Sequence, residues 1–399
     1  MSVFDQLIGQ DAAVVELQRA AAAARALLAT DDSGATTPID DGELAPTAAM
    51  SHAWLFTGPP GSGRAIAAKV LAAALLCTGE TPGCGECAEC QAAMGNNHPD
   101  VNVVSTSLVT ITIDEVREYV ASSYLTPSSG KWRVFIVEDA DRMLPNTTNV
   151  LLKAIEEPGP RTVWMLCTPA PADVLPTIRS RCRNINLVTP APELVAELIV
   201  QQCGADPEKA LVAAHAAQSH IGVARALATD PEAEKLRSQT LEVAVTTRGV
   251  GDAAIAAVHL TQLADSTSAG VDTNAEKEKY LAALGLEPGA RMPAAVRSQI
   301  KDMEDDAKKR DTRRQRDVLD RELIYLISFY RDVLITQLSA QVDLINMDYA
   351  AHITRIAAAT SPAQTIAKLE ALSQARERLR ANVAPLLAME ASLIALRLS

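Results

Sequence analysis

A glycine-rich loop near residue 60 has the spacing that holds phosphate groups. Gly58 and Gly63 agree with the pattern G-x-x-x-x-G-K-[ST], Gly61 lies between them, and Arg64 stands where the pattern has its lysine. Backbone N–H groups of such a loop, together with the N-terminus of the following helix, can face an anion. Arg64 replaces the lysine that contacts the β- and γ-phosphates, and Ala65 has no hydroxyl for Mg²⁺. The sequence therefore predicts a degenerate phosphate loop whose nucleotide binding is weak or lost, or a glycine turn without a ligand.

Four cysteines follow the helix after this loop in the order C-x6-C-x2-C-x2-C. They are Cys77, Cys84, Cys87 and Cys90, and glycines between them allow tight turns around an ion. Four thiolates complete a tetrahedral Zn²⁺ shell and leave no open position. The spacing predicts a structural zinc site rather than a catalytic one, and the alternative is a set of reduced, metal-free cysteines.

Charged residues at two further places could take part in phosphate chemistry. An apolar strand ends in Glu138-Asp139, the reverse of the Asp-Glu order that usually holds Mg²⁺ and positions the attacking water. Arg181 stands between Arg179 and Arg183 just after a predicted helix. An arginine at the edge of an α/β nucleotide fold can reach a γ-phosphate bound by a neighbouring subunit. The alternative for these arginines is a surface or interface salt bridge.

The composition limits the class of protein. A chain of 399 residues suggests two to three domains, and its 48% hydrophobic and 22% charged content is that of a folded protein. With 37 basic and 49 acidic residues the net charge is -12, which argues against coating nucleic acid by bulk attraction. The start of the chain lacks the order of a signal peptide, and the apolar runs are too short to cross a bilayer, so we expect a cytoplasmic protein. Cys167 and Cys203 are predicted to be buried in apolar surroundings.

Patterns of hydrophobicity place these residues on an α/β domain. Short apolar strands are predicted at residues 53–57, 101–104, 132–137 and 162–167, with a first helix over about residues 10–29. Because the strands alternate with helices and are apolar on both faces, the sheet should be mainly parallel. Beyond residue 190 the strand signal ends, which predicts short helices to about residue 245 and longer ones to residue 399. Polar stretches at 31–50 and 266–274 are predicted loops, and the mixed charges of residues 301–323 are typical of a solvated helix.

Together these segments resemble the subunits of the bacterial DNA polymerase III clamp loader. The carrying residues, beside the glycine loop and the cysteines, are Ile8-Gly9-Gln10, His98-Pro99-Asp100, Ile113-Asp114 with Arg117, Asn149 with Leu151-Leu152-Lys153, Ile155-Glu156-Glu157-Pro158 and Ile178-Arg179-Ser180-Arg181-Cys182. The resemblance is clear over about residues 1–185, weaker in the next segment and only architectural after it.

The resemblance implies a fold and a domain division. The fold is an α/β AAA+ P-loop domain with a parallel sheet, followed by a small helical lid domain and an all-α C-terminal collar domain. The implied boundaries are 1–188 for the AAA+ domain with its zinc module at 77–90, 189–245 for the lid and 246–399 for the collar.

The resemblance also assigns roles to particular residues. Arg64, Ala65 and the Glu138-Asp139 order are similar to the delta-prime type of subunit, which often lacks an intact phosphate loop, and not to the ATP-hydrolysing motor subunits. Arg181 is similar to the arginine finger that completes the ATP site of an adjacent motor subunit. Thr168 stands at the sensor 1 position, whereas Arg225 is offset by about one position from sensor 2.

The implied function is that of a stator within the DNA polymerase III holoenzyme, which as a complex performs DNA-directed DNA synthesis. The expected partners are the gamma/tau and delta subunits, the sliding clamp and primed-template DNA within the complex. Structural Zn²⁺ is the expected cofactor, and ATP binding by this subunit is doubtful. Two alternatives remain open from the sequence: a gamma/tau-type motor ATPase, and a zinc-dependent nucleic-acid-binding module.

Overall fold

The computed structural model describes residues 2–33, 49–104, 111–129, 131–143, 145–268, 281 and 294–397. The chain divides into two compact units, one of Met1–Leu198 with Ser219–Gly222 and one of Ile199–Gln218 with Val223–Ser399. No helix within these ranges combines the length and the apolar character needed to cross a membrane.

The first unit is built on a parallel sheet of five strands. The strands are β1 (Ala53–Thr57), β2 (Val101–Val104), β3 (Arg133–Val137), β4 (Thr162–Thr168) and β5 (Arg183–Asn186). Their order across the sheet is β2-β3-β4-β1-β5, and every neighbouring pair is parallel. Since β1 and β4 are completely buried, they lie between two layers of helices, as their continuous apolar sequences predict.

Successive residues of β1 alternate between two cores because side chains of a strand point to opposite faces. Trp54 and Phe56 pack in one core with residues of the helices α1 (Asp11–Ser33) and α2 (Arg64–Leu76). Leu55 packs with Phe135 and Trp164 in the other core. The helices of this unit are α1 (Asp11–Ser33), α2 (Arg64–Leu76), α3 (Ala88–Met94), α4 (Ile113–Ser123), α5 (Pro145–Glu156) and α6 (Pro176–Arg179), followed by α7 (Pro192–Cys203), which runs on into the second unit.

The four predicted strands are confirmed, and a fifth was missed. The strand β5 has the sequence Arg-Asn-Ile-Asn and pairs with β1 at the edge of the sheet. Ile185 is its one buried residue. Four mainly polar residues carry no hydrophobic period, so a strand stabilised by its partner's hydrogen bonds leaves no signal in the sequence.

The second unit is helical, as predicted. It contains α8 (Pro207–Ala216), α9 (Ile221–Thr229, whose first two residues belong to the first unit), α10 (Pro231–Thr246), α11 (Val250–Ser268), α12 (Ala294–Gln337), α13 (Ala350–Ala359), α14 (Pro362–Arg380) and α15 (Pro385–Leu396). The prediction of a parallel α/β domain followed by a helical region is thus confirmed. The charged segment at 301–323 lies within α12. The loops predicted at 31–50 and 266–274 fall largely outside the described residues, although α1 and α11 extend into them. The three-domain division stays a prediction.

The carboxyl group of Glu322 is buried in the second unit. Glu322 lies on α12, and neither of its carboxyl oxygens has a hydrogen-bond partner among the residues that the structure describes. Burial favours the neutral acid and raises the pKa of Glu322 to about 9. Since the unfolded chain releases this proton near pH 4.5, the group destabilises the folded state increasingly as pH rises from 4.5 toward 9.

Glu322→Gln is expected to stabilise the protein at neutral pH. Glutamine has the shape of the neutral acid but does not ionise in the unfolded chain, so the gain should approach about 3 kcal/mol at pH 7 and nearly vanish near pH 4.5. Urea unfolding at both pH values measures the difference, with the exposed Glu377→Gln on α14 as the control. A gain that is the same at both pH values would show that ionisation is not its cause.

Candidate functional site

The glycine loop lies between β1 and α2, where its backbone needs positive φ angles. Gly58, Gly61 and Gly63 have φ of 151°, 87° and 88°. A Cβ atom on Gly58 would lie 2.5 Å from the carbonyl oxygen of Leu187, and one on Gly61 would lie 2.5 Å from Cα of His220. Gly58 and Gly61 are therefore required by close packing of the loop against two other segments of the first unit, whereas Gly63 has open space around it and is favoured by its φ angle alone. His220 sits directly against the loop, a neighbour that the sequence did not indicate.

The motif Ile8-Gly9-Gln10 holds this loop to the edge of the sheet. The side-chain amide of Gln10 donates to the carbonyl of Val188 at 2.7 Å and accepts from its N–H at 3.0 Å, as a paired strand would. It also donates to the carbonyl of Ser62 at 3.4 Å. Gln10 is buried, so these bonds fix the N-terminal segment beside the phosphate loop.

Arg64 is bound to the loop's own backbone. Its Nη1 donates to the carbonyl oxygens of Gly58 and Pro59, the latter at 2.8 Å. Burial lowers the pKa of Arg64, against the attraction of Cys167, Asp141 and Asp139. The guanidinium thus satisfies carbonyls of the loop, and with Ala65 beside it the loop offers neither the free ammonium nor the hydroxyl of a Mg-ATP site.

The carboxylates at the end of β3 already have cationic partners. Glu138 pairs with Lys69 of α2 at 3.3 Å, and Asp139 pairs with Arg142 at 3.5 Å. Mg²⁺ binding at Glu138 would have to displace the ammonium group of Lys69. At the end of β4 the hydroxyl of Thr168, which the resemblance predicts as the sensor 1 residue, donates to the carbonyl of Ala170 at 3.1 Å.

The three arginines after α6 differ in their surroundings. Arg183 pairs with Glu16 at 2.6 Å, donates to the carbonyl of Ala49 at 2.7 Å and lies over the ring of Trp54, so it stabilises the fold. Arg179 and Arg181 are exposed. The prediction of an arginine finger at Arg181 requires such an exposed position.

Arg181 is held by two anchors near its exposed position. Its Nη2 pairs with Glu156 at 2.7 Å, and its Nη1 donates to the carbonyl of Thr177 at 2.8 Å. Glu156 belongs to a motif that the sequence singled out, but its contact with Arg181 was not predicted. Arg225, the displaced sensor 2 candidate in the second unit, donates to Gln202 at 2.6 Å.

The four predicted zinc ligands come together in the structure. The Sγ atoms of Cys77, Cys84, Cys87 and Cys90 all lie within 4.8 Å of one another. The sulfur of Cys77 is 3.6 Å from that of Cys84 and 3.9 Å from that of Cys87. These separations match the distance of about 3.8 Å between thiolates on a tetrahedral zinc ion. The donor set and its spacing therefore fit a structural Zn²⁺.

Backbone N–H groups around the cluster favour thiolates. The N–H groups of Gly79, Cys87 and Cys90 donate to the sulfurs of Cys77, Cys84 and Cys87 at 3.3–3.4 Å. Although burial raises the pKa of Cys87, hydrogen bonds from the Cys90 and Thr78 backbone outweigh it and lower the pKa to about 5. Burial raises the pKa of Cys90, which lies beside the other thiols. Full deprotonation of the cluster thus needs the charge that a metal ion would bring.

The prediction for Cys203 was wrong. Cys203 ends α7 and is exposed, whereas Cys167 is fully buried, as predicted. Cys203 is the last residue of α7, where the apolar stripe no longer faces the core. An apolar neighbourhood in sequence does not determine which side of a helix end faces water.

Two family models match the chain. They are described as DNA polymerase III, delta subunit, over residues 43–191, and DNA polymerase III, delta subunit, C terminal, over residues 314–397. The first covers the glycine loop, the cysteines and Arg181, and the second covers the C-terminal helices.

Curated relatives agree with these models. The chain is 37% identical over 160 residues to the DNA polymerase III subunit delta' of Pseudomonas aeruginosa, covering 39% of this chain and 48% of that protein. It is 31% identical over 154 residues to the delta' subunit of Bacillus subtilis, and 33% identical over 157 residues to the gamma/tau subunit of Mycobacterium tuberculosis. The match spans about half the length of the delta' relatives.

A solved structure of a DNA polymerase III gamma subunit-related protein from Thermotoga maritima is also similar. It is 15% identical, with a TM-score of 0.38 over 87% of this chain and 95% of that chain. The likeness adds no argument about function. The two family models and the delta' relatives confirm the resemblance to the delta-prime type.

Proposed function

Because the chain resembles the delta-prime subunits of DNA polymerase III in both matched segments, we propose that it is a subunit of a bacterial clamp loader. In this role it helps to load the sliding clamp onto primed DNA during replication. Its partners are the gamma/tau and delta subunits, with the clamp and the DNA bound by the assembled complex.

Its role in the complex is that of a stator without ATPase activity. The observation that carries this proposal is the binding of Arg64 to the carbonyls of its own loop. The pairing of Lys69 with Glu138 supports it, because the residue in the metal position is already neutralised. The missing hydroxyl at Ala65 removes a Mg²⁺ ligand from the same site.

The active contribution of the chain is Arg181, offered to the ATP site of a neighbouring motor subunit. Its exposure and its position after α6, at the edge of the α/β unit, support this assignment. A guanidinium placed at the γ-phosphate stabilises the charge of the transition state. In this arrangement Gly58, Gly61, Gly63 and Arg64 retain the shape of a phosphate loop without its catalysis.

The remaining features fit a rigid part of a ring. Zn²⁺ held by the four cysteines would bring structural stability and no chemistry. The helices over 246–399 would form the collar that packs with the other subunits, and 189–245 the lid. A net charge of -12 suits a subunit that meets DNA only as part of a complex.

Titration of the purified chain with Mg-ATP tests the stator role. We expect no binding at micromolar nucleotide and no turnover, because the loop lacks both free cation and hydroxyl. A gamma/tau-type motor subunit serves as the positive control. Micromolar affinity with turnover would contradict the proposal and favour the motor alternative.

Assembly tests the membership of the complex. The purified chain should join gamma/tau and delta subunits in one ring, which gel filtration with mass measurement detects. Failure to enter the complex with all partners folded would contradict the clamp-loader role itself.

A further inference from the structure

The guanidinium of Arg181 is bound by two different groups, a backbone carbonyl and a carboxylate. Nη1 donates to the backbone carbonyl of Thr177 at 2.8 Å, with the hydroxyl of Ser180 at 3.4 Å. Nη2 pairs with the carboxylate of Glu156 at 2.7 Å. Thr177 lies only four residues before Arg181, whereas Glu156 belongs to α5, 25 residues earlier in the chain. Of the two contacts, the ion pair with Glu156 is therefore the one that depends on tertiary packing.

The position of Glu156 is not explained by the stability of its own helix. Glu156 is the last residue of α5, where the negative end of the helix dipole disfavours a carboxylate. The ring of His52 satisfies one carbonyl of this last turn, that of Ile155, at 2.9 Å, and a carboxylate, which only accepts hydrogen bonds, cannot satisfy another. An ion pair whose side chains are 40% and 42% exposed contributes about 0–1 kcal/mol to folding. Its more specific consequence is the orientation of Arg181.

We propose that Glu156 is the positioning residue of the arginine finger, holding Nη2 of Arg181 until a neighbouring subunit's γ-phosphate replaces the carboxylate. This inference rests on the proposed function of Arg181. In this exchange Nη1 keeps its hydrogen bond to the carbonyl of Thr177, and Nη2 changes its partner from the Glu156 carboxylate to the phosphate. A guanidinium binds carboxylate and phosphate oxygens with the same planar geometry. The Glu156 carboxylate therefore holds the guanidinium of Arg181 in an orientation that a phosphate can also bind.

The consequence is mainly on the rate of hydrolysis and less on ATP affinity. Without Glu156 the arginine keeps its charge, so attraction of the bound nucleotide persists. It loses its fixed direction, and misplacement by about 1 Å can lower catalysis as much as about 10²-fold. Partial loss of order predicts a fall of about tenfold in kcat and a change of less than twofold in KM for ATP.

Steady-state ATPase measurements on the reconstituted complex test this inference. Glu156→Ala should show the fall in kcat, whereas Glu156→Gln should keep at least half the rate, because the amide oxygen still accepts from Nη2. The adjacent, exposed Glu157→Ala is the matched control and should behave as the unmodified chain. Gel filtration confirms that each variant enters the complex.

A double-variant cycle identifies the residue through which Glu156 acts. In an Arg181→Ala background, Glu156→Ala should change kcat less than twofold, since its target is absent. An equal fall in both backgrounds, or no fall with Arg181 present, overturns the positioning role while leaving the finger assignment intact. If Arg181→Ala itself leaves the rate unchanged, the finger assignment fails and this inference fails with it.

Discussion

Arg181→Ala is expected to lower ATP hydrolysis at the completed site by on the order of 10³-fold, while this subunit remains folded. Hydrolysis builds negative charge on the transferred phosphoryl group, and a guanidinium in contact with it stabilises that charge in the transition state. The exposed pair of Arg181 with Glu156 contributes about 0–1 kcal/mol, so its loss does not threaten the fold.

The measurement is the ATPase rate of the complex reconstituted with the gamma/tau and delta subunits. Arg179→Ala is the matched control, because Arg179 is also exposed, lies two residues away and donates to the carbonyl of Pro171 at 3.3 Å. We expect that control to keep most of its rate. An unchanged rate with Arg181→Ala, in a complex of normal composition, would remove the finger assignment.

Removal of zinc is expected to have the largest effect on stability. The four sulfurs lie within 4.8 Å of one another. Gly83, which lies between two of the cysteines in sequence, accepts a hydrogen bond at its carbonyl from the N–H of Val3 in the N-terminal segment at 2.9 Å. Because the metal would bind the folded cluster far better than the unfolded chain, its binding free energy stabilises the fold. We expect the purified chain to contain one zinc ion, and chelation to lower the unfolding free energy by about 3 kcal/mol or more.

Cys87→Ser should reproduce the effect of chelation and make the protein insensitive to the chelator. Metal analysis and thermal unfolding with and without chelator measure both. Cys203→Ser is the control, since that thiol is exposed on α7 and outside the cluster. A metal-free native chain whose unfolding ignores the chelator would contradict the zinc assignment.

The same variant separates a structural zinc module from a nucleic-acid-binding one. The cysteine loop carries the acidic residues Glu80, Glu86 and Glu89, which disfavour contact with phosphates. Glu89 is in addition bound to the ring of His98 at 2.7 Å. Loss of DNA affinity by a folded Cys87→Ser chain would favour the nucleic-acid alternative.

Local sequence predicted the features that depend on residue type and short spacing. The four cysteines lie within 14 residues, so three short turns are enough to gather them, and the structure brings all four together. The glycines of the phosphate loop were identified in the same way, from the spacing of the motif, and the structure gives them positive φ angles that glycine adopts without steric cost. The strands β1 to β4 were found because each is a short and mainly apolar run.

What depends on contacts between distant segments required the tertiary structure. The edge strand β5 is polar and exists through its pairing with β1. The two arginines differ in the carboxylates that they bind. Arg183 pairs with Glu16, 167 residues away in the chain, and Arg181 pairs with Glu156. The sequence singled out Arg181 through its resemblance to a known motif, but no local pattern shows which carboxylate each arginine binds.

The sequence by itself determined that this protein lacks a phosphate-loop lysine and hydroxyl and has a four-cysteine cluster, because those properties reside in the residues present. Only the tertiary structure decided that Arg64 binds its own loop, that Lys69 neutralises Glu138 and that Glu156 holds Arg181. Whether a charged side chain is free or paired depends on the opposite charges that folding brings within about 4 Å, and the order of residues along the chain does not record those distances.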